Sequence, residues 1–348
     1  MDEQAFRYRP VTPAVAEELK KIVGDRYVVF GDPEKLEAYS HDEVAEKEYA
    51  HMPEALVRPI SAGEIAAVMK LANREKIPVT PRGAGSGLSG GAVPIHGGIV
   101  LLMDRMNRIL EIDRDNMMIT VEPGVVTNEI NQVLKEYGLF YAGYPMSLET
   151  CFVGGNVAEN AGGGKAVKYG VTARYVLGLE VVTPTGEIVQ LGGKLVKDVT
   201  GYNLTQLFVG SEGTLGAITE ITLRLIPEPP ARATVMAAYA RLEDAADTVN
   251  AVLAAGILPL TTELMDQACI RVVERKLKAG LPVDAEALML IAVDGEADTV
   301  RSQIERVAAV CRRMGADPIE VATTPEDEER LWKARRSVSP ALSLIKPS

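Results

Sequence analysis

Apolar positions recur one helical turn apart in two N-terminal stretches. Residues 13–23 ("PAVAEELKKIV") carry them at this spacing, and Gly24 follows as a stop signal. In 61–76 ("SAGEIAAVMKLANREK") the run begins at Ser61, with Glu64 three residues later, a capping box that sets a helix start. The period then changes. "IPVTPRG", "GGIVLLM" and "MMITVEPG" are short apolar runs that read as strands, "TNEINQVLKEYG" returns to helical spacing, and "YVLGLEVVTPTGEIVQL" reads as a hairpin turning at "PTG". "LFVGSEGTLGAITEITLRLIPEPPARA" follows, and its Pro-rich "PEPP" (227–230) is the clearest linker in the chain.

Beyond the linker, strand and helix alternate. "TVMAAYA" predicts a strand, "RLEDAADTVNAVLAAG" a helix, and "PLTTELMD" precedes the helical "QACIRVVERK". "EALMLIAVDG" leads to the long helix "EADTVRSQIERVAAVCRRMG", and "PIEVATT" to the helix "PEDEERLWKARRSV". This is a second α+β unit, expected as a sheet with helices on one face. The pattern divides the chain into 1–228 and 229–348. "SPALSLIKPS" continues an apolar pattern, so the second unit is expected to stop inside an element.

Composition narrows the function. A chain of 348 residues accommodates two domains, and 47% apolar residues fill ordinary globular cores. A net charge of −11 opposes nucleic acid or an anionic membrane surface as partner. The first residues, "MDEQAFRYRPVTPAVAEELKK", are too polar for a secretory signal, and no run approaches the ~20 apolar residues of a membrane span. A cytoplasmic protein is the expectation. Cys151, Cys269 and Cys311 stand far apart with no C-x-x-C, and His41, His51 and His96 have no metal-ligand spacing. No metal site is therefore expected, and redox chemistry has to come from a bound cofactor or another chain.

The chemistry concentrates in glycine-rich stretches. "PRGAGSGLSGGAVPIHGG" (81–98) contains the pattern G-x-G-x-x-G at Gly85, Gly87 and Gly90. A dinucleotide fingerprint of the Rossmann kind needs a helix to begin there, and Pro94, Gly97 and Gly98 forbid one. The segment is strand–loop–strand, and its backbone amides suit an anion, with Ser86 and Ser89 able to add hydroxyls. "PMSLETCFVGGNVAENAGGGK" (145–165) is a second such loop; its Asn156, Glu159 and Asn160 are polar groups, and asparagine amides suit the edge of a heterocycle. "GSEGTLG" (210–216) is a third. Three loops of this kind beside strands describe a groove for a dinucleotide-sized ligand.

Five motifs in order, "PRGAGSGLSGGAVP", "TCFVGGNVAENAGG", "YGVTARYVLGLEVVTPTGE", "GYNLTQLFVGSEGTLGAIT" and "LWKARR", resemble the FAD-linked dehydrogenases and oxidases related to vanillyl-alcohol oxidase, in particular the branch of glycolate oxidase D-subunits and D-lactate dehydrogenases. The resemblance implies a two-subdomain FAD-binding domain of the vanillyl-alcohol oxidase (PCMH) type, followed by a partial α+β, ferredoxin-like cap. It places Pro81, Arg82, Gly83, Ala84, Gly85, Ser86, Gly87 and Leu88 around the pyrophosphate. Pro145, Met146, Ser147 and Thr150 match positions lining the flavin, and Gly154, Gly155, Asn156, Ala158, Glu159 and Asn160 the stretch passing the isoalloxazine and ribityl region. Glu212, Gly213 and Ile218 match the third contact.

Relatives that attach FAD covalently use a histidine in or near the first loop; Ser86 stands in that stretch here, and Cys151 matches a position that is usually unlinked. Non-covalent FAD is the expectation. Arg335 matches an arginine that grips the substrate carboxylate, and Ser339, one turn on, a second contact. Family members continue with a histidine-rich segment carrying metal ligands and the catalytic base, so the base is expected beyond Ser348. The implied reaction is oxidation of a small D-2-hydroxy acid, glycolate or D-lactate. Electrons pass to an external acceptor such as an iron–sulfur subunit, an electron-transfer flavoprotein, a cytochrome or a quinone. The alternative is an FAD-binding subunit that only relays electrons or scaffolds a complex.

Overall fold

The computed structural model describes residues 8–44, 49–322 and 324–342, without the side chains of Pro325, Ser339 and Pro340. Its contacts divide the chain into two units, Met1–Gly162 with Val171–Pro227, and Gly163–Gly170 with Glu228–Ser348. The division falls within the Pro-rich linker. The excursion of Gly163–Gly170 into the second unit has no counterpart in the single boundary expected at 228/229.

The first unit contains a four-stranded and a five-stranded sheet. In the smaller one, Val28–Phe30 runs antiparallel to Ala55–Val57, which lies parallel to Ile99–Leu102, which in turn lies parallel to the edge strand Val79–Arg82. Pro81 has no N–H to give a ladder, and an edge position is where that is tolerated. The helices Pro13–Val23 and Ala62–Glu75 cover this sheet with Val15, Leu19, Ile65, Val68 and Leu71 against Ala55, Val57, Ile99 and Leu101. Ser61 caps the second helix by accepting the Glu64 amide at 3.2 Å. Glu64 reaches back to the Ile60 amide at 2.8 Å, one residue before the capping box would place it.

The five-stranded sheet is antiparallel throughout, in the order Ile109–Asp113, Met118–Val121, Ala217–Arg224, Val176–Val182, Ile188–Gly192. The hairpin at "PTG" forms as the turn residues require: the Gly186 amide donates to Thr183 O at 2.9 Å, with Gly186 at φ +83°.

The second unit is a four-stranded antiparallel sheet in the order Thr261–Asp266, Ala287–Gly295, Ala231–Tyr239, Ile319–Val321. Numbered along the chain this is 2-3-1-4, the arrangement of a ferredoxin-like βαββαβ sheet. The crossover helices Leu242–Ala254 and Ala297–Arg313 pack on one face, against Val235, Ala237, Tyr239, Met289, Ile291 and Val293.

The opposite face is covered too, which corrects the expectation of helices on one face only. Met236, Met265, Leu288 and Leu290 pack there against Ile270 and Val273 of the helix Gln267–Leu277, Leu331 and Ala334 of Pro325–Arg336, and Ala341 of Val338–Leu342. The physical signal lies in "ALMLIAVDG", where eight consecutive residues are buried with no polar alternation, as a strand covered on both faces demands.

Candidate functional site

The first glycine loop occupies everything between the parallel strands Val79–Arg82 and Ile99–Leu102, with no helix in it. Its base is held from several sides. Asp42, buried, accepts the Gly90 amide on Oδ2 at 2.8 Å and the Val44 amide on Oδ1 at 2.9 Å. The Glu43 amide donates to Gly87 O at 3.1 Å. Arg82 folds back beneath the loop, and its Nη1 donates to Ala92 O at 3.2 Å. Gly85 sits at φ +74°, and a Cβ there would overlap the Arg82 guanidinium, so only glycine closes this turn.

Arg82 is the electrostatic feature of the loop. It is 6% exposed and forms no ion pair with any described residue; burial pulls its pKa down, against the pull of Asp42 and Tyr39, whose ring lies 5.7 Å away. A buried guanidinium with unspent donors behind a glycine loop is complementary to an anion. Leu88, at the tip, leaves an apolar side chain 75% exposed.

The second stretch is not a loop throughout. Ser147–Cys151 is a tight turn in which Ser147 O accepts the Thr150 and Cys151 amides, each at 2.9 Å, and Met146 stands exposed beside it after Pro145. Val153–Glu159 is a helix ending on Asn160 at φ +51°. Tertiary contacts support it where propensity does not: a Cβ on Gly154 would lie 2.5 Å from Pro123 Cβ and 2.9 Å from Pro123 O, so glycine lets the helix rest on that backbone. Gly155, the next residue, faces open space.

The expectation that asparagine amides face a heterocycle is corrected for Asn156, whose side chain is turned inward. Asn156 is 4% exposed and donates to Thr127 Oγ1 at 2.7 Å, in a buried group with Cys151. Asn160 Oδ1 accepts the Ala173 amide at 2.9 Å and so pins the 171–174 turn. The Asn156 amide is needed inside, because a helix rich in glycine lacks the side-chain packing to fix itself.

The three stretches converge. A Cβ on Gly83 would lie 3.7 Å from the Gly155 N and one on Gly87 2.5 Å from Glu159 Oε1. One on Gly91 would come 3.1 Å from Glu212 Oε2, and one on Gly213 3.2 Å from the Pro81 ring. Backbone bonds fasten the third loop to the helix: Gly210 N to Val157 O at 3.0 Å and Glu212 N to Ala158 O at 2.9 Å. Ile218 is buried in the strand behind, opposite Val181, and Ala84 and Ser86 lie within the first loop. Desolvation first, then the charges of Glu212 and Asp42, push the exposed Glu159 above the ordinary carboxylate range. The residues fit a dinucleotide: an unspent buried cation, amide-rich loops and a glycine face without side chains.

In the second unit, Arg335 stands on Pro325–Arg336 and forks onto Glu263 Oε2 with Nε at 2.9 Å and Nη2 at 2.6 Å. The side chain of Ser339 lies outside the described residues. The segment Gly163–Gly170 is fastened to this unit by Lys168 and Tyr169, both bonded to Asp294. Sequence reasoning missed Asp294 and Glu263 because each lies more than seventy residues from its partner. The alternating "TTELMD" does place Glu263 on the same strand face as Met265, which is as much as the pattern offers.

Residues 53–192 match the family model of an FAD binding domain, and residues 228–347 that of the C-terminal domain of FAD linked oxidases. The chain belongs to the FAD-linked oxidoreductases, and FAD is its cofactor. Among its relatives, it is 42% identical over 338 residues to the glycolate oxidase subunit GlcD of Bacillus subtilis (97% of this chain, 71% of the relative). It is 40% identical over 344 residues to a D-lactate dehydrogenase of Anaerostipes hadrus (97% and 72%), and 39% identical over 299 residues to GlcD of Escherichia coli K12 (86% and 60%).

Among solved structures, an alkyldihydroxyacetonephosphate synthase superposes with TM-score 0.79 at 21% identity (99% of this chain, 68% of the other). A 4-ethylphenol oxidase of Gulosibacter chungangensis gives TM-score 0.79 at 20% identity (95% and 71%). These two establish the fold. No helix of the described residues is long and apolar enough to cross a membrane.

Proposed function

We propose that the chain oxidises a small D-2-hydroxy acid, glycolate or D-lactate, to the 2-oxo acid, with FAD bound non-covalently. The observation that carries this reading is the match to two relatives named for these acids, at 42% and 40% identity over 97% of the chain and both units. FAD, when bound, supplies the acceptor for the Cα hydrogen and its electron pair.

The chain's own residues would hold the cofactor and orient the acid, while the hydroxyl proton goes to a base that none of them supplies. The glycine loop and Arg82 hold the pyrophosphate, with Gly155 presenting a face without a side chain. Arg335 grips the substrate carboxylate, since a planar guanidinium sets direction as well as charge, and that fixes the orientation of the Cα–H bond. Cys151 does not compete as a covalent anchor, because its thiol is buried and donates to Thr127 Oγ1 at 3.3 Å. Electrons then leave to an external acceptor: an iron–sulfur subunit, an electron-transfer flavoprotein, a cytochrome or a quinone.

Anaerobic titration of the purified yellow protein tests the reading. D-lactate or glycolate should bleach the flavin and L-lactate should not. Bleaching by NADPH alone would make the chain a nicotinamide-fed reductase, and bleaching by none of these, in this chain and in a version extended by its genomic downstream sequence, would favour the electron-relay subunit. Acid precipitation should release all the FAD to the supernatant; colour kept by the pellet would refute non-covalent binding.

A further inference from the structure

The cluster around Arg335 contains a residue with no part yet in substrate recognition. Glu263 Oε2 accepts from both Nε and Nη2 of Arg335, at 2.9 and 2.6 Å, and so occupies one edge of the planar guanidinium. Nη1 has no hydrogen-bond partner among the described residues, and a guanidinium carries paired donors along that second edge. Arg335 is 26% exposed and Glu263 13%, so the pair is partly accessible rather than sealed in the core.

The glutamate is itself held. Gly164 lies against it, so closely that a Cβ there would fall 2.6 Å from Glu263 Oε1 and 2.9 Å from Thr261 Oγ1. The Thr261 hydroxyl, buried, has no hydrogen-bond partner among the described residues, which leaves unspent polar capacity beside the pair. Thr261 and Glu263 are two residues apart on one strand face, the face that packs on the helix carrying Arg335.

We infer that Glu263 is the positioning residue for carboxylate recognition: it holds the Nε edge of Arg335 so that the Nη1 edge meets the substrate carboxylate, and Gly164 leaves the space in which it does so. This rests on the assignment of Arg335 made above. An arginine on a long flexible stem presents its fork in one direction only when something fixes its plane. The two side chains form one largely buried ion pair. Its use is directional. The opposing possibility is that the Glu263 carboxylate competes with the substrate for Arg335, and the two differ in sign.

The test uses the full chain with FAD bound. Calorimetry measures binding of pyruvate and glyoxylate, the 2-oxo acids of the proposed substrates, which need no turnover. Anaerobic stopped-flow reduction by D-lactate and glycolate separates apparent Kd from the limiting rate. Glu263→Ala should weaken both Kd values at least tenfold, with a smaller fall in limiting rate and unchanged FAD content. Glu263→Gln keeps an accepting oxygen and should restore most of the affinity. Gly164→Ala should reproduce Glu263→Ala, because its Cβ displaces the carboxylate.

Wild-type or tighter binding by Glu263→Ala overturns the inference, and tighter binding makes Glu263 a competitor. If Arg335→Lys loses affinity while Glu263→Ala does not, only the inference fails. If Arg335→Lys itself binds the 2-oxo acids as wild type does, the assignment of Arg335 fails and the inference with it.

Discussion

Two neighbouring glycines in one helix should answer the same substitution in opposite ways. Gly154→Ala places a methyl 2.5 Å from Pro123 Cβ and 2.9 Å from Pro123 O, and backbone cannot rotate aside. Overpacking of this kind costs about 1–3 kcal/mol. Gly155→Ala meets nothing within 4 Å, so in the FAD-free protein it only gains helix propensity, up to ~1 kcal/mol. For a unit of this size each kcal/mol moves Tm by about 2–4 °C.

FAD reverses the ranking. If the open face of Gly155 receives the cofactor, its methyl occupies that space, and an overpacking cost of about 1–3 kcal/mol weakens FAD some five- to hundredfold. Thermal denaturation of FAD-free protein and FAD titration by fluorescence quenching measure the two effects separately. Gly155→Ala binding FAD within twofold of wild type would refute the assignment of this face to the cofactor. Equal Tm values for the two variants would refute the packing of Gly154 on Pro123.

Gly85→Val should lose FAD from a folded protein, because valine resists φ +74° and its side chain would displace Arg82; near-normal flavin content after purification would count against the loop assignment. Arg335→Lys should keep FAD yet lose about ten- to a hundredfold in kcat/KM with D-2-hydroxy acids, the equivalent of one charge-assisted contact of ~1.5–3 kcal/mol. Unchanged kcat/KM would remove Arg335 from the substrate site. Lys165 has its pKa lowered from the ordinary 10.5 to about 8, by burial first and then Arg232, with Asp294 and Glu228 opposing. The folded state thus binds its proton less tightly than the unfolded one, so the penalty is full below pH ~8 and fades as the pH rises toward ~10.5. Lys165→Met should raise Tm at pH 7, by an amount corresponding to at most ~3 kcal/mol, and the gain should vanish above pH ~10.5; a gain independent of pH would place the effect in packing instead.

Local signals in the sequence carry the parts of the fold that local physics decides. Ser61 with Glu64 marks a helix start, Thr183–Gly186 makes its hairpin, and Pro94 with Gly97 and Gly98 excludes a helix after the first loop. What was illegible depends on distant partners. The helix Val153–Glu159 begins after Phe152 with no side-chain cap and contains two glycines, so its propensity argues against it; Pro123 and Thr127 hold it in place. Helices on the second face of the cap sheet leave only one trace in the sequence, the unalternated run "ALMLIAVDG", which has no solvent side.

The stretch "NVAENAGGGKAVKYG" joins these lines of argument. As sequence it is one glycine-rich run, and the family resemblance assigns its first part, through Asn160, to the cofactor. In the fold it changes allegiance within three residues. Up to Gly162 it belongs to the unit of the glycine loops, with Asn160 pinning Ala173. From Gly163 it belongs to the other unit, where Gly164 packs on Glu263 and Lys168 and Tyr169 bind Asp294. The glycines therefore answer different demands: Gly154 lets a helix rest on Pro123, Gly155 keeps a face open, and Gly164 makes room for the carboxylate that holds Arg335. A run of small residues records that side chains were excluded, but only the neighbours say by what.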